Sequence, residues 1–485
     1  MLFNSFEFMY LFLPVALVAY FACRGVGTGR VATAWLTLAS LVFYGYWNPV
    51  YLPLILASMA FNFGVGALLV RGERTGAAAD GAGAGQVRRH GSRAVLAVGV
   101  GVNLAVLGFF KYVDFGVSNI NWLAGTQLTP MRIVLPLGVS FFTFTQIAYI
   151  VDCYYLEVKE RDWLNFGLFV TFFPHLIAGP IVHHAEMMPQ FADERRKTID
   201  WDNVASGLFL FAMGLVKKSV VADTFALWAT TGYSGGGVPT LAESWVTTLA
   251  YTMQLYFDFS GYTDMALGAA RMFNIELPQN FDSPYQATDI QDFWRRWHMT
   301  LSRFLKRYLY VPLGGNRHGE GRTYLNLFLT FLLGGLWHGA GWTFVAWGAM
   351  HGLGTAGHRL WKERLGLRMP RYAGWSLTFL FVHVAWVFFR SPDFSTASAM
   401  LEGMVGFGGL SGFGRFAAID RPTQLLCLAI MAPAAIAAFA ARNSGGWSRA
   451  FSPGWRTALA TAVMLFLGTL YLNSSLPKEF LYFDF

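Results

Sequence analysis

The chain has 485 residues, of which 55% are hydrophobic and only 13% are charged. A water-soluble chain of this length would normally form several domains with about 25% charged residues, so the composition excludes an ordinary soluble protein. The net charge of +8 is carried by short loops. It therefore indicates membrane topology and contact with lipid rather than nucleic-acid binding.

Twelve apolar runs, most of about 16 to 22 residues, are long enough to cross the hydrocarbon core of a bilayer. They are residues 8–23, 31–47, 51–70, 94–112, 131–151, 204–222, 244–262, 323–337, 341–361, 373–390, 423–441 and 457–473. The first run lacks a basic segment before it and a small-residue cleavage site, so we expect a retained helix. No soluble domain or internal repeat is evident, and residues 1–485 are expected to form one integral-membrane domain.

Clusters of arginine and lysine follow alternate spans along the chain. If every predicted span crosses the membrane, all of these clusters lie on one side. The positive-inside rule makes that side cytoplasmic, so both termini are expected to face outward.

Four segments do not fit the pattern of simple spans. Residues 71–93 are rich in Gly and Ala and predict a flexible cytoplasmic loop. Residues 163–184 are apolar but interrupted by prolines, which predicts a re-entrant segment whose backbone is covered by protein. Residues 286–322 mix aromatic with basic residues, as in a helix at the cytoplasmic interface. Residues 474–485 form an aromatic outward-facing tail.

One histidine, His338, lies in a long stretch that lacks Asp, Glu, Lys and Arg between residues 322 and 359. A titratable group at membrane depth is costly and usually marks a functional site. The preceding run, 323–337, spans about 22 Å as a helix, which is less than the roughly 30 Å core. We therefore expect that helix to stop inside the protein at His338 and the chain to turn back at residues 339–341.

A neutral imidazole at this place could take a proton from an attacking hydroxyl, which makes His338 a candidate general base. The alternative is a core histidine that only forms hydrogen bonds between packed helices. His298 is the second candidate, either an interfacial histidine or a group that orients the acyl donor or stabilises an oxyanion. If residues 292–302 form one helix, Arg295 and Ser302 share the face of His298.

Basic side chains surround this second histidine in the sequence. They are an ordinary positive-inside signal, but a cationic cytoplasmic surface would also attract the phosphates of coenzyme A. The four residues proposed for that contact are Arg295, Arg296, Arg303 and Arg317.

Two carboxylates, Asp258 and Asp264, lie in or beside a predicted span. We expect them to be structural partners of buried Arg or His, with a proton path as the alternative. The histidines His175, His183 and His184 lack HxxxH or HExxH spacing, and the three cysteines are scattered. No metal site is therefore expected.

The last six residues, 480–485, contain four aromatics. They could form an aromatic belt at the outer membrane interface. The alternative is that Tyr482 is a nucleophile on a movable tail.

Seven motifs occur in a defined order along the chain: residues 135–144, 173–182, 256–266 and 278–281, the Trp-rich segment that ends at His298, and residues 312–317 and 335–338. This ordered set resembles the membrane-bound O-acyltransferase (MBOAT) family, especially its bacterial alginate O-acetylation branch. The likeness extends over almost the whole chain. One departure is His175, where many members of the family have Gln.

The resemblance implies an all-α polytopic fold with about 11–12 transmembrane helices in a ring around a central catalytic funnel. It implies that His338 is the catalytic histidine, that His298 is its second polar group, and that Tyr482 lies in an acyl-carrying motif. The donor would be cytoplasmic acetyl-CoA at the bacterial inner membrane. The acetyl group would reach an exported polysaccharide, such as alginate, through a periplasmic SGNH-hydrolase-like acetyltransferase.

Two other classes of protein share some of these features. Broken apolar segments and intramembrane carboxylates also occur in secondary transporters, although the repeated halves of a transporter are not evident here. A non-catalytic scaffold that recruits periplasmic enzymes through its tail is the third possibility.

Overall fold

The computed structural model describes residues 1–26, 29–77, 92–158, 162–364, 366, 369–472 and 480–481. Within these residues the regular structure is entirely helical, which confirms the predicted all-α fold. The chain divides into two compact units. The first is Met1–Gly207 with Ala266–Pro278, and the second is Leu208–Met265 with Gln279–Phe485.

The helices of the first unit are α1 (Leu13–Val26), α2 (Gly29–Gly45), α3 (Leu52–Ala77), α4 (Arg93–Ala124), α5 (Val139–Tyr154), α6 (Trp163–Thr171), α7 (Phe173–Leu176) and α8 (His184–Ala192). Helix α9 (Trp201–Leu215) begins in this unit and continues into the second. A π-helical turn, Phe8–Phe12, precedes α1, and 3₁₀ turns occur at Pro49–Tyr51 and Glu194–Lys197.

The second unit contains α10 (Asp223–Ser234), most of α11 (Leu241–Met272), α12 (Ile290–Arg296), α13 (Met299–Leu305), α14 (Glu320–His338), α15 (Trp342–Glu363), α16 (Arg371–Arg390), α17 (Phe394–Met404), α18 (Arg421–Phe439), α19 (Ser444–Arg449) and α20 (Trp455–Leu472). Its π-helical segments are Val216–Ala222 and Lys306–Tyr310, and its 3₁₀ turns are Pro284–Gln286 and Gly414–Phe416.

All twelve predicted spans overlap helices of the structure. In the described part of the chain, six helical stretches are long and apolar enough to cross a membrane. They are Pro49–Val70, Arg93–Ala124, Trp201–Ser234, Arg371–Arg390, Arg421–Phe439 and Trp455–Leu472. The protein is therefore a multi-pass membrane protein, as the sequence predicts.

Several predicted boundaries are wrong, and two of them concern segments that the sequence assigned to the wrong class. The span predicted for 131–151 becomes helical only at Val139, because Pro136 lacks a backbone N–H and Gly138 adopts a left-handed conformation with φ +71°. The predicted loop 71–93 is too long at its start, since α3 continues to Ala77. Residues 78–91 of that loop lie outside the described residues.

The apolar segment 163–184 is interrupted where its prolines predict. Phe172, which lies just before Pro174 and separates α6 from α7, is not helical. Residues 177–183 are irregular up to the start of α8. Residues 166–184 are buried throughout. Protein therefore covers the broken backbone, which is the condition for such a segment at membrane depth. Its entry from the cytoplasmic side stays a prediction.

Helices α14 and α15 form a hairpin whose backbones nearly touch. A Cβ added to Gly335 would lie 2.8 Å from the Cα of Gly348, and one added to Gly352 would lie 3.0 Å from the Cα of Phe328. Small residues permit such close helix pairs in membranes. Helix α14 has 19 residues and extends about 28 Å, so it is longer than the predicted run of 15, but it ends at His338 as expected.

Candidate active site

His338 is the last residue of α14 and lies beside α15. Three aromatic rings enclose its imidazole, at centroid distances of 4.9 Å to Trp337, 5.0 Å to Trp347 and 5.3 Å to Phe389. Only 4% of the residue is exposed. The side chain is thus packed in apolar surroundings inside the second unit.

His298 interrupts the helix that the sequence predicted. Helix α12 ends at Arg296, and α13 begins at Met299, because His298 itself adopts a left-handed conformation with φ +44° and ψ +54°. The expectation that Arg295 and Ser302 share its helix face is therefore wrong. Residue 298 is a turn at which the chain changes direction and directs the imidazole into the protein.

Asn280 holds this turn. Its Oδ1 accepts hydrogen bonds from the backbone N–H of Thr300 at 3.2 Å and from the Thr300 hydroxyl at 2.8 Å, and its backbone carbonyl accepts from Met299 N–H at 3.0 Å. The Nδ1 atom of His298 lies 3.1 Å from the same Oδ1. Since the Thr300 N–H can only donate, the Asn280 atom is an oxygen, and His298 Nδ1 must carry the proton that it donates.

This hydrogen bond determines the chemistry of the second histidine. His298 is fully buried, and burial lowers its pKa well below the ordinary histidine value, so the ring is neutral. In a neutral ring with a proton on Nδ1, the basic nitrogen is Nε2. The ring is therefore suited to accepting a proton or hydrogen bond, and a neutral His298 cannot stabilise an oxyanion through Nε2.

A layer of indole rings extends within the second unit from Trp297, the residue before His298, to His338. Trp297 packs against Trp386 at 5.0 Å, Trp386 stacks on Trp347 at 5.8 Å, and Trp347 contacts His338. The candidate site therefore has apolar walls. Electrostatic interactions between reacting groups are stronger in such surroundings than in water.

Another buried histidine of the second unit, His351, was not singled out from the sequence. Its Nδ1 accepts a hydrogen bond from the Trp294 indole N–H at 3.2 Å, and its ring lies 4.7 Å from Trp347. The available signal was its position in the same charge-free stretch as His338. Its partner comes from α12, 57 positions away, which no local pattern reveals.

The four arginines proposed to bind coenzyme A differ in exposure and in their ion pairs. Asp292 pairs with Arg296 at 2.9 Å and lies 4.0 Å from Arg295, so it partly neutralises both. Arg303 is half-buried, whereas Arg295 and Arg317 are exposed. The exposed pair is thus better placed for an anionic ligand than the other two, and the contact with coenzyme A stays a prediction.

Both carboxylates that the sequence places in or beside a span, Asp258 and Asp264, have lysine partners. Asp258 Oδ1 lies 2.7 Å from Lys218 Nζ, which also contacts Asp223 at 2.6 Å, and all three side chains are buried. Asp264 pairs with Lys217 at 2.7 Å. The structural role is therefore favoured, although the partners are lysines and not the expected Arg or His. Burial of charged groups requires such pairing.

The C-terminal tail reaches this buried ion cluster. The backbone N–H of Leu481 donates to Asp258 Oδ2 at 3.0 Å, and Phe480, which is 1% exposed, stacks on Tyr262 at 4.3 Å. Phe480 is therefore not part of an exposed aromatic belt. The candidate nucleophile Tyr482 is the next residue in the chain and lies outside the described residues.

The remaining histidine group lies in the first unit. His184 Nδ1 is 3.0 Å from Asp152 Oδ2, and the N–H of His183 donates to the Glu186 carboxylate at 3.3 Å as a helix cap. His175 is buried in α7. In the part of the chain that the structure describes, these side chains have structural contacts and provide no group of three metal ligands.

Comparison with known proteins identifies the class of the chain. A model of the "MBOAT, membrane-bound O-acyltransferase family" matches residues 154–391, which include both His298 and His338. The chain is 40% identical over 532 residues to the peptidoglycan O-acetyltransferase of Helicobacter pylori, with 100% of this chain and 98% of the relative covered. The chain belongs to the membrane-bound O-acyltransferase family.

Other relatives place this membrane-bound O-acyltransferase in the predicted branch. It is 36% identical over 520 residues to the "probable alginate O-acetylase AlgI" of Azotobacter vinelandii, with 100% of both chains covered. It is 27% identical over 237 residues to the teichoic acid D-alanyltransferase of Bacillus subtilis, which covers 46% of this chain and 58% of that relative. The predicted alginate O-acetylase-like branch is confirmed, and the chain is an enzyme rather than a transporter or a scaffold.

Proposed function

We propose that this O-acyltransferase takes an acetyl group from cytoplasmic acetyl-CoA and supplies it for O-acetylation of an exported cell-envelope polysaccharide. Two relatives that align along the whole chain are named for peptidoglycan and alginate, which are both glycans with free hydroxyl groups. Alginate or a similar exopolysaccharide is the acceptor that we favour, and peptidoglycan is the alternative.

The observation that carries the proposal is the position of the tail. Phe259 contacts both His298, at 4.8 Å, and Phe480, at 6.4 Å. The chain that leads to Tyr482 is therefore docked one aromatic ring away from a buried neutral histidine. Tyr482 follows Leu481 directly in the sequence and is thus tethered to this docked segment, and tethering favours an intramolecular acyl acceptor.

The proposed reaction begins with proton removal from the Tyr482 hydroxyl by His338. The phenolate oxygen attacks the thioester carbonyl of acetyl-CoA, the new C–O bond forms, and the C–S bond breaks. The imidazolium returns its proton to the departing coenzyme A thiolate. The products are acetyl-Tyr482 and coenzyme A thiol, so atoms and charge balance.

A phenol is a suitable carrier because its pKa of about 10 is far below that of a sugar hydroxyl. An aryl ester therefore keeps much of the transfer potential of the thioester, which an alkyl ester would lose. Withdrawal of the tail to the outer side would present this ester to a periplasmic SGNH-hydrolase-like acetyltransferase. That partner would pass the acetyl group to the polymer.

His298 would act as a hydrogen-bond acceptor in this scheme. The Asn280 contact assigns the proton to Nδ1, so Nε2 can accept from the nucleophile or from the thiol as it leaves. The exposed Arg295 and Arg317 are proposed to attract the phosphates of the donor. The two arginines can attract phosphates although they are exposed, because clustered charges at a protein surface attract ions of the opposite sign.

The decisive experiment follows cleavage of radiolabelled acetyl-CoA by the purified protein in nanodiscs. We expect label on the protein, lost in Tyr482→Phe and in His338→Ala, with coenzyme A binding retained in Tyr482→Phe. His318→Ala is the matched control, because this histidine is exposed in the loop before α14. Full polymer acetylation in cells carrying Tyr482→Phe would refute the tyrosyl relay.

A second experiment addresses the acceptor. Mass analysis of exopolysaccharide and of peptidoglycan from a deletion strain should reveal loss of acetyl esters from one of the two. Loss of acetyl esters from peptidoglycan alone would show that the acceptor is peptidoglycan and not an alginate-type polymer. Intact acetylation of both glycans would contradict the proposed pathway.

A further inference from the structure

A groove of about 770 Å³ lies in the second unit, apart from the candidate catalytic residues. The start of α12, the second half of α15 and the first half of α16 form its walls. Its lining residues are Thr288, Asp289, Ile290, Gly354, Gly357, His358, Trp361, Lys362, Met369, Pro370, Arg371, Gly374, Leu377, Thr378 and Phe381. Neither His338 nor any of the four candidate arginines is among them.

Glycines create the space for this groove. A Cβ added to Gly357 would meet no atom within 4 Å, so the helix surface there faces open volume. At Gly374 a Cβ would lie 2.6 Å from the carbonyl oxygen of Thr288, which shows how closely α16 approaches the segment before α12. The groove follows α16 from Arg371 to Phe381, a helical rise of about 15 Å.

The two ends of the groove differ in polarity. Leu377 and Phe381 lie toward the middle of α16, a helix that is apolar and long enough to cross the membrane. Lys362 and Arg371 lie at the other end, where α15 ends and α16 begins. Leu377 is 56% exposed, so the groove opens sideways toward the surface that lipid would cover.

The charged end of the groove has an excess of positive charge. Among the described lining residues Asp289 is the one acid, and its carboxylate accepts the Asp292 N–H at 2.7 Å as the cap of α12. It also lies 3.7 Å from His358 Nε2. The positive charges of Lys362 and Arg371 therefore remain in excess over this one acid.

We propose that the groove binds an anionic phospholipid, with an acyl chain between α15 and α16 and the phosphate at Lys362 and Arg371. Basic pockets between membrane helices on the cytoplasmic side bind anionic headgroups, and the sequence places the 362–371 loop on that side. Coenzyme A esters share the phosphate chemistry. An acetyl group, however, has no need of a 15 Å apolar channel that opens toward the bilayer.

The test uses the full chain in detergent micelles with equal amounts of phosphatidylglycerol and phosphatidylcholine, and native mass spectrometry counts the retained lipids. We expect the wild-type protein to retain phosphatidylglycerol preferentially. The double variant Lys362→Ala/Arg371→Ala should reduce that retention at least fivefold. Gly357→Leu should do the same by filling the groove, and it should fold because Leu favours a helix more than Gly.

Two controls match these changes. Arg442→Ala/Arg456→Ala removes the same charge from another surface, and Gly101→Leu adds the same side chain to an exposed position on α4 where a Cβ meets no atom within 4 Å. Both should retain phosphatidylglycerol as the wild type does. Equal retention of both lipids, unchanged retention in the groove variants, or displacement of the lipid by millimolar acetyl-CoA would overturn the proposal.

Discussion

Removal of the Phe480 ring should release the C-terminal tail from the second unit. The ring is 1% exposed, and burial of a side chain of this size contributes about 1.5–3 kcal/mol. Loss of that contribution should raise the undocked population of the tail roughly 10- to 150-fold. The Leu481 N–H is donated to Asp258 only while the tail is docked, so its hydrogen exchange reports on the docked state.

The assay is hydrogen–deuterium exchange of the protein in nanodiscs, with fragmentation that resolves the amide of residue 481. The amide of residue 481 should exchange roughly 10- to 150-fold faster in Phe480→Ala than in the wild type. Asp258→Asn keeps an acceptor oxygen but loses its charge, which weakens the hydrogen bond by about 1 kcal/mol and predicts roughly fivefold faster exchange. Phe466→Ala, at a position on α20 that is 67% exposed, should leave the rate unchanged.

An amide at residue 481 that exchanges equally fast in the wild type and in Phe480→Ala would refute this reasoning. It would mean that the tail is not held by the ring contact and the carboxylate. The tail could then not be treated as part of the candidate active site.

Three further predictions concern the rigid parts of the site. Asn280→Ala removes the acceptor that orients the turn at His298, so kcat for acetyl-CoA cleavage should fall at least tenfold with little change in KM. Asn280→Asp keeps an acceptor oxygen and should retain most of the wild-type kcat. Gly348→Leu should lower the unfolding temperature by several degrees because the side chain cannot fit between α14 and α15, whereas Gly321→Leu, with open space around it, should not. Lys218→Met removes the cation that Asp258 and Asp223 share, so the free energy of unfolding measured by chemical denaturation should fall by about 3–5 kcal/mol. Lys217→Met affects one carboxylate and should lower that free energy less.

The spans and the end of α14 at His338 could be predicted from the sequence because the bilayer imposes length and apolarity on each helix. The start of α5 could not be located by apolarity alone, since residues 131–138 are as apolar as a helix. There, backbone geometry at Pro136 and Gly138 decides the boundary.

The turn at His298 could not be predicted from the local sequence for a different reason. Residues 292–302 have an amphipathic helical pattern, and the aromatic face is indeed buried. Asn280, which lies 18 positions earlier, accepts hydrogen bonds from His298 and Thr300, and these bonds stabilise a left-handed residue in the middle of that pattern. Non-local contacts of this kind, like that of Trp294 with His351, are set by tertiary packing and leave no periodic trace.

The bond between the tail and Asp258 has a consequence for hydration. A carboxylate oxygen that is buried and loses its N–H donor must find another, and inside a protein the available substitute is water. Every excursion of the tail therefore replaces a peptide N–H by water at the Asp258 carboxylate. In the proposed mechanism, a tail that stays docked keeps this water away from the donor thioester and so slows its hydrolysis before transfer.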